Sequence, residues 1–172
     1  MNERSAGHAT FVIRRSYAAT PATVFHAFAD PATKRRWFFE GEGWTVDEFT
    51  SSFEVGGREH SRFRVGNGPV MCNHTIYLEI VANKRIVFSY TMTVAGRPIS
   101  ASLGTLEFSA DGEGTRLNYT EQAAFFDRLN EPGEREVGFR ELFQALADEI
   151  ERAGRCLTDG GTVTTEAMAV KT

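Results

Sequence analysis

The chain's 172 residues, 41% hydrophobic and 24% charged, have the length and balance of one globular domain around a single core. The net charge of -4 excludes a general nucleic-acid surface, which needs a basic face. No apolar run approaches the roughly 20 residues that cross a bilayer. The opening residues, MNERSAGHAT, lack the apolar stretch of a signal peptide, so a cytoplasmic location is expected.

Residues 10–18, TFVIRRSYA, alternate with Phe11, Ile13, Arg15 and Tyr17 on one side, which predicts a first strand. Thr20-Pro21 opens a helix, with Thr as N-cap and Pro at the first helical position; Val24, Phe25 and Phe28 form its apolar side. Asp30-Pro31 ends that helix and caps a second short one, DPATKRRWF, before a glycine loop, EGEGW. From Trp44 to Phe126 about six strands alternate with turns. Gly56-Gly57 breaks SFEVGGREHSRFRV, VGNGP is a tight turn, ANK joins TIYLEIV to RIVFSYTMTV, and DGEG joins ISASLGTLEFSA to TRLNYTEQAAFF. Leu106 and Phe108 are out of step with Ala101 and Leu103, which predicts a bulge at Gly104.

A last helix is expected over about residues 133–153. Phe139, Leu142, Phe143, Leu146 and Ile150 form one apolar stripe, and Glu134, Arg135, Glu136, Arg140 and Glu141 fall mainly off it. Gly154 reads as its C-cap. The expected organisation is a flexible N-terminus over 1–9, one domain over 10–154 and a disordered tail over 155–172. Strands grouped together with helices at the ends give an α+β fold, its sheet curled around the one helix long enough to cover it.

Fourteen residues are Phe, beside Trp37, Trp44 and four Tyr. So many rings form either a large ordinary core or the lining of a ligand cavity. Cys72 and Cys156 lie far apart and read as reduced thiols. His8, His26, His60 and His74 are scattered, the glycine pairs sit in hairpin turns, and no nucleophile elbow follows Ser100 or Ser102. Neither a metal nor a cofactor is expected.

The phrases ATPATVFHAFADPATKRRWF, VGGRE, RIVFSY, ISASLGTLEF, GTRLNYTEQAAFFD and REVGFRELFQALADEI, over about residues 10–153, carry a resemblance. In this order they resemble the SRPBCC superfamily, with its START-like, pollen-allergen-like helix-grip fold. Within it they are most similar to the family named after the activator of the heat-shock-protein-90 ATPase, C-terminal domain. The resemblance implies a curved antiparallel sheet of six to seven strands with its first and last strands adjacent. It also implies two short helices at one rim, and a cavity between the sheet and the long helix on its concave face.

On that frame LNYTEQAAFF poses a question, because Glu121 shares a file with Leu117, Tyr119, Ala123 and Phe125. Arg15 is the charged misfit of the first strand, which the fold places alongside. A cross-strand Arg15–Glu121 pair is therefore expected, either as a structural salt bridge or as a polar ligand anchor. Glu59 shares an inward file with Ser61, Phe63 and Val65, while Arg58, His60, Arg62 and Arg64 face solvent. The expected ligand contacts are Trp37, Phe38, Phe63, Tyr77, Tyr90, Glu121, Phe125, Phe139 and Phe143. The expected function is binding of a small hydrophobic molecule. The alternatives are a chaperone-associated or self-associating interaction module in a stress response, and a cyclase- or aromatase-type enzyme with Glu121 or His74 moving a proton.

Overall fold

The computed structural model describes residues 5–126 and 132–159. Its elements, in chain order, are β1 (Ala6–Tyr17), α1 (Pro21–Ala29), α2 (Pro31–Phe39), β2 (Trp44–Ser51), β3 (Arg58–Val65), β4 (Met71–Val81), β5 (Arg85–Val94), β6 (Arg97–Asp111), β7 (Gly114–Phe126) and α3 (Pro132–Asp159). The strands form one antiparallel sheet in the order β1-β7-β6-β5-β4-β3-β2. The chain thus leaves one edge of the sheet, crosses to the other through α1 and α2, and returns by five consecutive hairpins. This is the expected helix-grip arrangement of the α+β class.

Local chemistry sets the helix starts as expected. The Thr20 hydroxyl accepts from the Thr23 amide at 3.3 Å, and the Asp30 carboxylate accepts from the Thr33 amide at 2.8 Å and its hydroxyl at 2.6 Å. The bonds from Thr33 hold the Asp30 carboxyl below its usual range. Phe25 and Phe28 of α1 each pack edge-on against Phe108 of β6, with centroids 5.6 Å apart. The Trp37 indole N–H donates to the Ala27 carbonyl at 2.8 Å, which locks α2 to α1. At the sheet edge, the Tyr17 hydroxyl donates to the Phe143 carbonyl at 3.2 Å and ties β1 to α3.

Three local expectations change. The bulge lies at Ile99, where the β5–β6 register skips between Met92↔Ser100 and Thr93↔Pro98; the pairing runs unbroken through Gly104. The apolar pattern misleads here because the buried file of β6 is Ser100, Ser102, Gly104, Leu106 and Phe108, with two serines turned inward. Gly104 has a packing role instead: a Cβ there would stand 2.4 Å from the Phe88 ring. Second, β1 begins at Ala6, so residues 6–9 belong to the sheet rather than to a flexible N-terminus. Third, α3 continues through Gly154 to Asp159, past the expected boundary at 154. A single glycine costs a helix only about 1 kcal/mol. Of the expected tail over 155–172, residues 160–172 lie outside the described residues.

The helix α3 crosses the concave face with Phe143 and Leu146 buried and Phe139, Leu142 and Ile150 packed against the core. Its far end is held to α2 by Glu149, which accepts from the Arg36 Nε–H at 2.9 Å and the Arg152 Nη2–H at 2.8 Å. Burial would raise the Glu149 carboxyl, but the bonds from Arg36 and Arg152 outweigh it and hold the group below its usual value.

Two predictions follow from this packing. Leu146 is fully buried, so Leu146→Ala should cost about 2–5 kcal/mol in chemical denaturation, whereas Val137→Ala, at an exposed position of the same helix, should stay within about 0.5 kcal/mol. A carboxyl whose folded pKa is depressed contributes stability above its unfolded pKa and loses it as the pH falls through the folded one. Stability measured from pH 7 downward should therefore drop below about 4.5, the usual glutamate value, and drop less steeply in Glu149→Gln.

Candidate functional site

Between α2, α3 and the concave face lies a cavity in two neighbouring chambers. The inner chamber is small, about 40 Å³, and its lining includes Phe53, Ile86, Phe88 and Phe143. The outer chamber holds about 360 Å³ and opens between Trp44, Phe63 and Leu142. Trp37, Phe38, Asn73, Tyr90 and Phe139 line both, so the two chambers are neighbours that share these side chains. Of the expected contacts, Trp37, Phe38, Tyr77, Tyr90, Phe139 and Phe143 stand in the inner wall and Phe63 in the outer.

Glu121 and Phe125 line neither chamber. Glu121 is wholly buried behind the wall, and its carboxylate accepts four hydrogen bonds. Oε1 takes the hydroxyls of Tyr90 at 2.7 Å and Ser102 at 2.8 Å and the Arg135 Nη1–H at 3.3 Å; Oε2 takes the Tyr119 hydroxyl at 2.7 Å. Burial raises both phenols well above their usual range, so Tyr90 and Tyr119 remain donors at any working pH. Arg135 also donates to the Tyr90 hydroxyl at 2.7 Å and the Ser100 hydroxyl at 2.8 Å, and lies over the Phe125 ring at 5.4 Å.

The cation that answers Glu121 is thus Arg135, not Arg15. In the β1–β7 register Phe11 stands opposite Glu121 and Arg15 opposite Leu117, four residues and about 13 Å farther along. Arg15 is half-buried and donates to the Gln144 side chain at 2.5 Å. Arg135 was legible in one respect: it lies four residues before Phe139 and so heads the apolar stripe of α3 rather than standing off it.

A second ion pair lies four strands away on the other side of the cavity, on β3 where Glu121 is on β7. The Lys34 ammonium stands 2.7 Å from each oxygen of Glu59 and 3.2 Å from the Tyr77 hydroxyl. Tyr77 donates to Glu59 at 2.6 Å and Ser51 donates at 3.0 Å. Burial alone would lower the Lys34 ammonium; Glu59 and Tyr77 beside it outweigh that and hold it above its usual range. Alternation along β3 predicts the inward Glu59 but no partner for it; that partner is Lys34. It has the same spacing signature as Arg135, preceding Trp37 and Phe38 by three and four residues on one helical face.

His74, the other proton-transfer candidate, is on the opposite face of the sheet. Its Nδ1 lies 3.1 Å from the Nδ1 of His60, the rings stacked at 4.4 Å, in solvent and away from the cavity. Strand alternation decides this, since Thr75 and Tyr77 take the inward positions. Among the described residues, no group of three or more His, Cys, Asp or Glu could hold a metal ion, and no helix is long and apolar enough to cross a membrane.

The Arg135–Glu121 network yields a prediction. Glu121→Gln keeps the shape but leaves Arg135 buried without its countercharge, so unfolding free energy should fall by about 3–5 kcal/mol. Arg15→Ala should cost less than about 1 kcal/mol in the same denaturation series.

Comparison with known proteins places this architecture. The structure is similar to the Mll3558 protein from Rhizobium loti, at 50% identity and a TM-score of 0.78 over 84% of this chain and 99% of that one. It is also similar to a protein from Rhizobium leguminosarum described as uncharacterized, at 36% identity and 0.84 over 87% and 99%. An AHSA1-like protein from Aeromonas hydrophila shares the fold at 18% identity, with a TM-score of 0.63 over 84% and 94%. No curated protein matches. The sequence profile described as "Activator of Hsp90 ATPase homolog 1-like protein" matches residues 18–153, and the chain belongs to that family.

Proposed function

We propose that the protein binds a small hydrophobic molecule in the two-chamber cavity. The observation that carries this reading is the cavity itself: 360 Å³ of aromatic-lined space, open at one end, in a domain of only 172 residues. That volume lies within the range of small-molecule sites. The charged groups around it support binding over catalysis. A general acid or base must exchange a proton with the bound molecule. Both oxygens of Glu59 are held by Lys34, one of them also by Tyr77 and Ser51, while Glu121 stands behind the wall. These pairs stiffen a preformed pocket, which lowers the ordering cost of binding.

The test uses the protein's own fluorophores. The two tryptophans, Trp37 and Trp44, both line the outer chamber. Titration with naphthalene should quench their emission saturably. Gly138 of α3 also faces this chamber, and a Cβ there meets nothing within 4 Å. Gly138→Leu should fill the chamber and abolish saturable quenching, while gaining about 0.8 kcal/mol of helix propensity and so keeping the fold. Linear quenching in the parent, or unchanged binding in Gly138→Leu, would overturn the proposal.

A further inference from the structure

We infer that this cavity selects neutral hydrophobic molecules carrying a hydroxyl or comparable hydrogen-bond donor, and discriminates against carboxylates of the same shape; this rests on the binding reading above. Among the described residues, each cation lining the cavity is already neutralised: Lys34 by Glu59 at 2.7 Å, Arg135 by Glu121 at 3.3 Å. The two phenols that bridge these pairs are committed as well, Tyr77 donating to Glu59 and accepting from Lys34, Tyr90 donating to Glu121 and accepting from Arg135. An anionic ligand would therefore face a carboxylate behind every cation, and would be desolvated without a net countercharge.

One polar residue in the lining differs. The side-chain oxygen of Asn73 is buried without a hydrogen-bond partner, and Asn73 lines both chambers. The other buried side-chain atoms lacking partners among the described residues, Arg64 Nε and Asn118 Oδ1, belong to residues outside the lining of either chamber. Asn73 stands on β4, opposite Ser61 on β3 and Met92 on β5, in the lining that the two chambers share. A buried acceptor left unpaired is costly, and a donor that reaches it recovers that cost. A hydroxyl on a flat apolar body seated in the outer chamber meets this condition once the Asn73 amide turns toward it; a carboxylate, which offers acceptors only, does not.

The experiment compares naphthalene, naphthol in both ring isomers, and naphthoate, titrated against tryptophan emission in the parent and in Asn73→Leu. In the parent, at least one naphthol should bind roughly three- to tenfold more tightly than naphthalene, the worth of one neutral hydrogen bond, and naphthoate should bind most weakly. Asn73→Leu removes an unpaired group, so its melting temperature should not fall, and it should bind naphthol and naphthalene equally. Asn73→Ser, melted in parallel, guards against a misfolded leucine variant and should also weaken the naphthol preference. Binding of naphthalene with no gain for either naphthol overturns the inference and leaves the cavity reading standing. So does a preference that survives both substitutions, or naphthoate as the tightest ligand. If none of the four probes binds the parent, the cavity reading fails and this one fails with it.

Discussion

The buried contact between Arg135 and Glu121 is the constraint on which the interior depends. Two charges taken out of water are tolerated only when each is paired and hydrogen-bonded. Here the requirement recruits Tyr90 from β5, Ser100 and Ser102 from β6, and Tyr119 from β7. Satisfying one carboxylate therefore fixes the inward residues of three adjacent strands and pins the first turn of α3 above them. The position of α3 in turn defines the roof of the cavity.

A second cluster repeats the logic toward the other edge of the same concave face. Lys34 enters from α2 to meet Glu59 of β3, with Tyr77 of β4 shared between them. In both cases a helix delivers a cation from the position one turn ahead of its aromatic residues, a strand supplies the carboxylate, and a tyrosine bridges the two. Each helix over the concave mouth is thus fastened by a directional polar bond as well as by apolar packing. Apolar packing alone would let helices settle onto the sheet and close the space between. The polar fasteners hold them at set points and leave an aromatic-walled gap, stiff and locally neutral, which suits it to an uncharged guest.

The two clusters also separate what the strands show from what they conceal. The inward direction of Glu59 and Glu121 was legible, because alternation along a strand assigns each side chain to a face regardless of its chemistry. The partner of Glu121 was not. Arg15 is the charged misfit on the neighbouring strand, but pairing register sets it four residues away, and register is a long-range property. The supposed bulge at Gly104 failed for a related reason. Two inward serines, Ser100 and Ser102, serve the Arg135–Glu121 network and break an apolar file that is geometrically continuous.

By itself the sequence determined the elements and their order, through signals that act over a few residues: the Thr20 and Asp30 caps, the hairpin turns, the alternation of the strands and the stripe of α3. With those came the class of fold and most of the aromatic wall, since face and period are local. The tertiary structure alone decided which ions meet, that Glu121 lies behind the wall, and that the Asn73 side-chain oxygen is left unpaired. Those facts depend on distances between residues far apart in the chain. A hydrogen bond holds over about 3 Å, and no local pattern resolves position that finely.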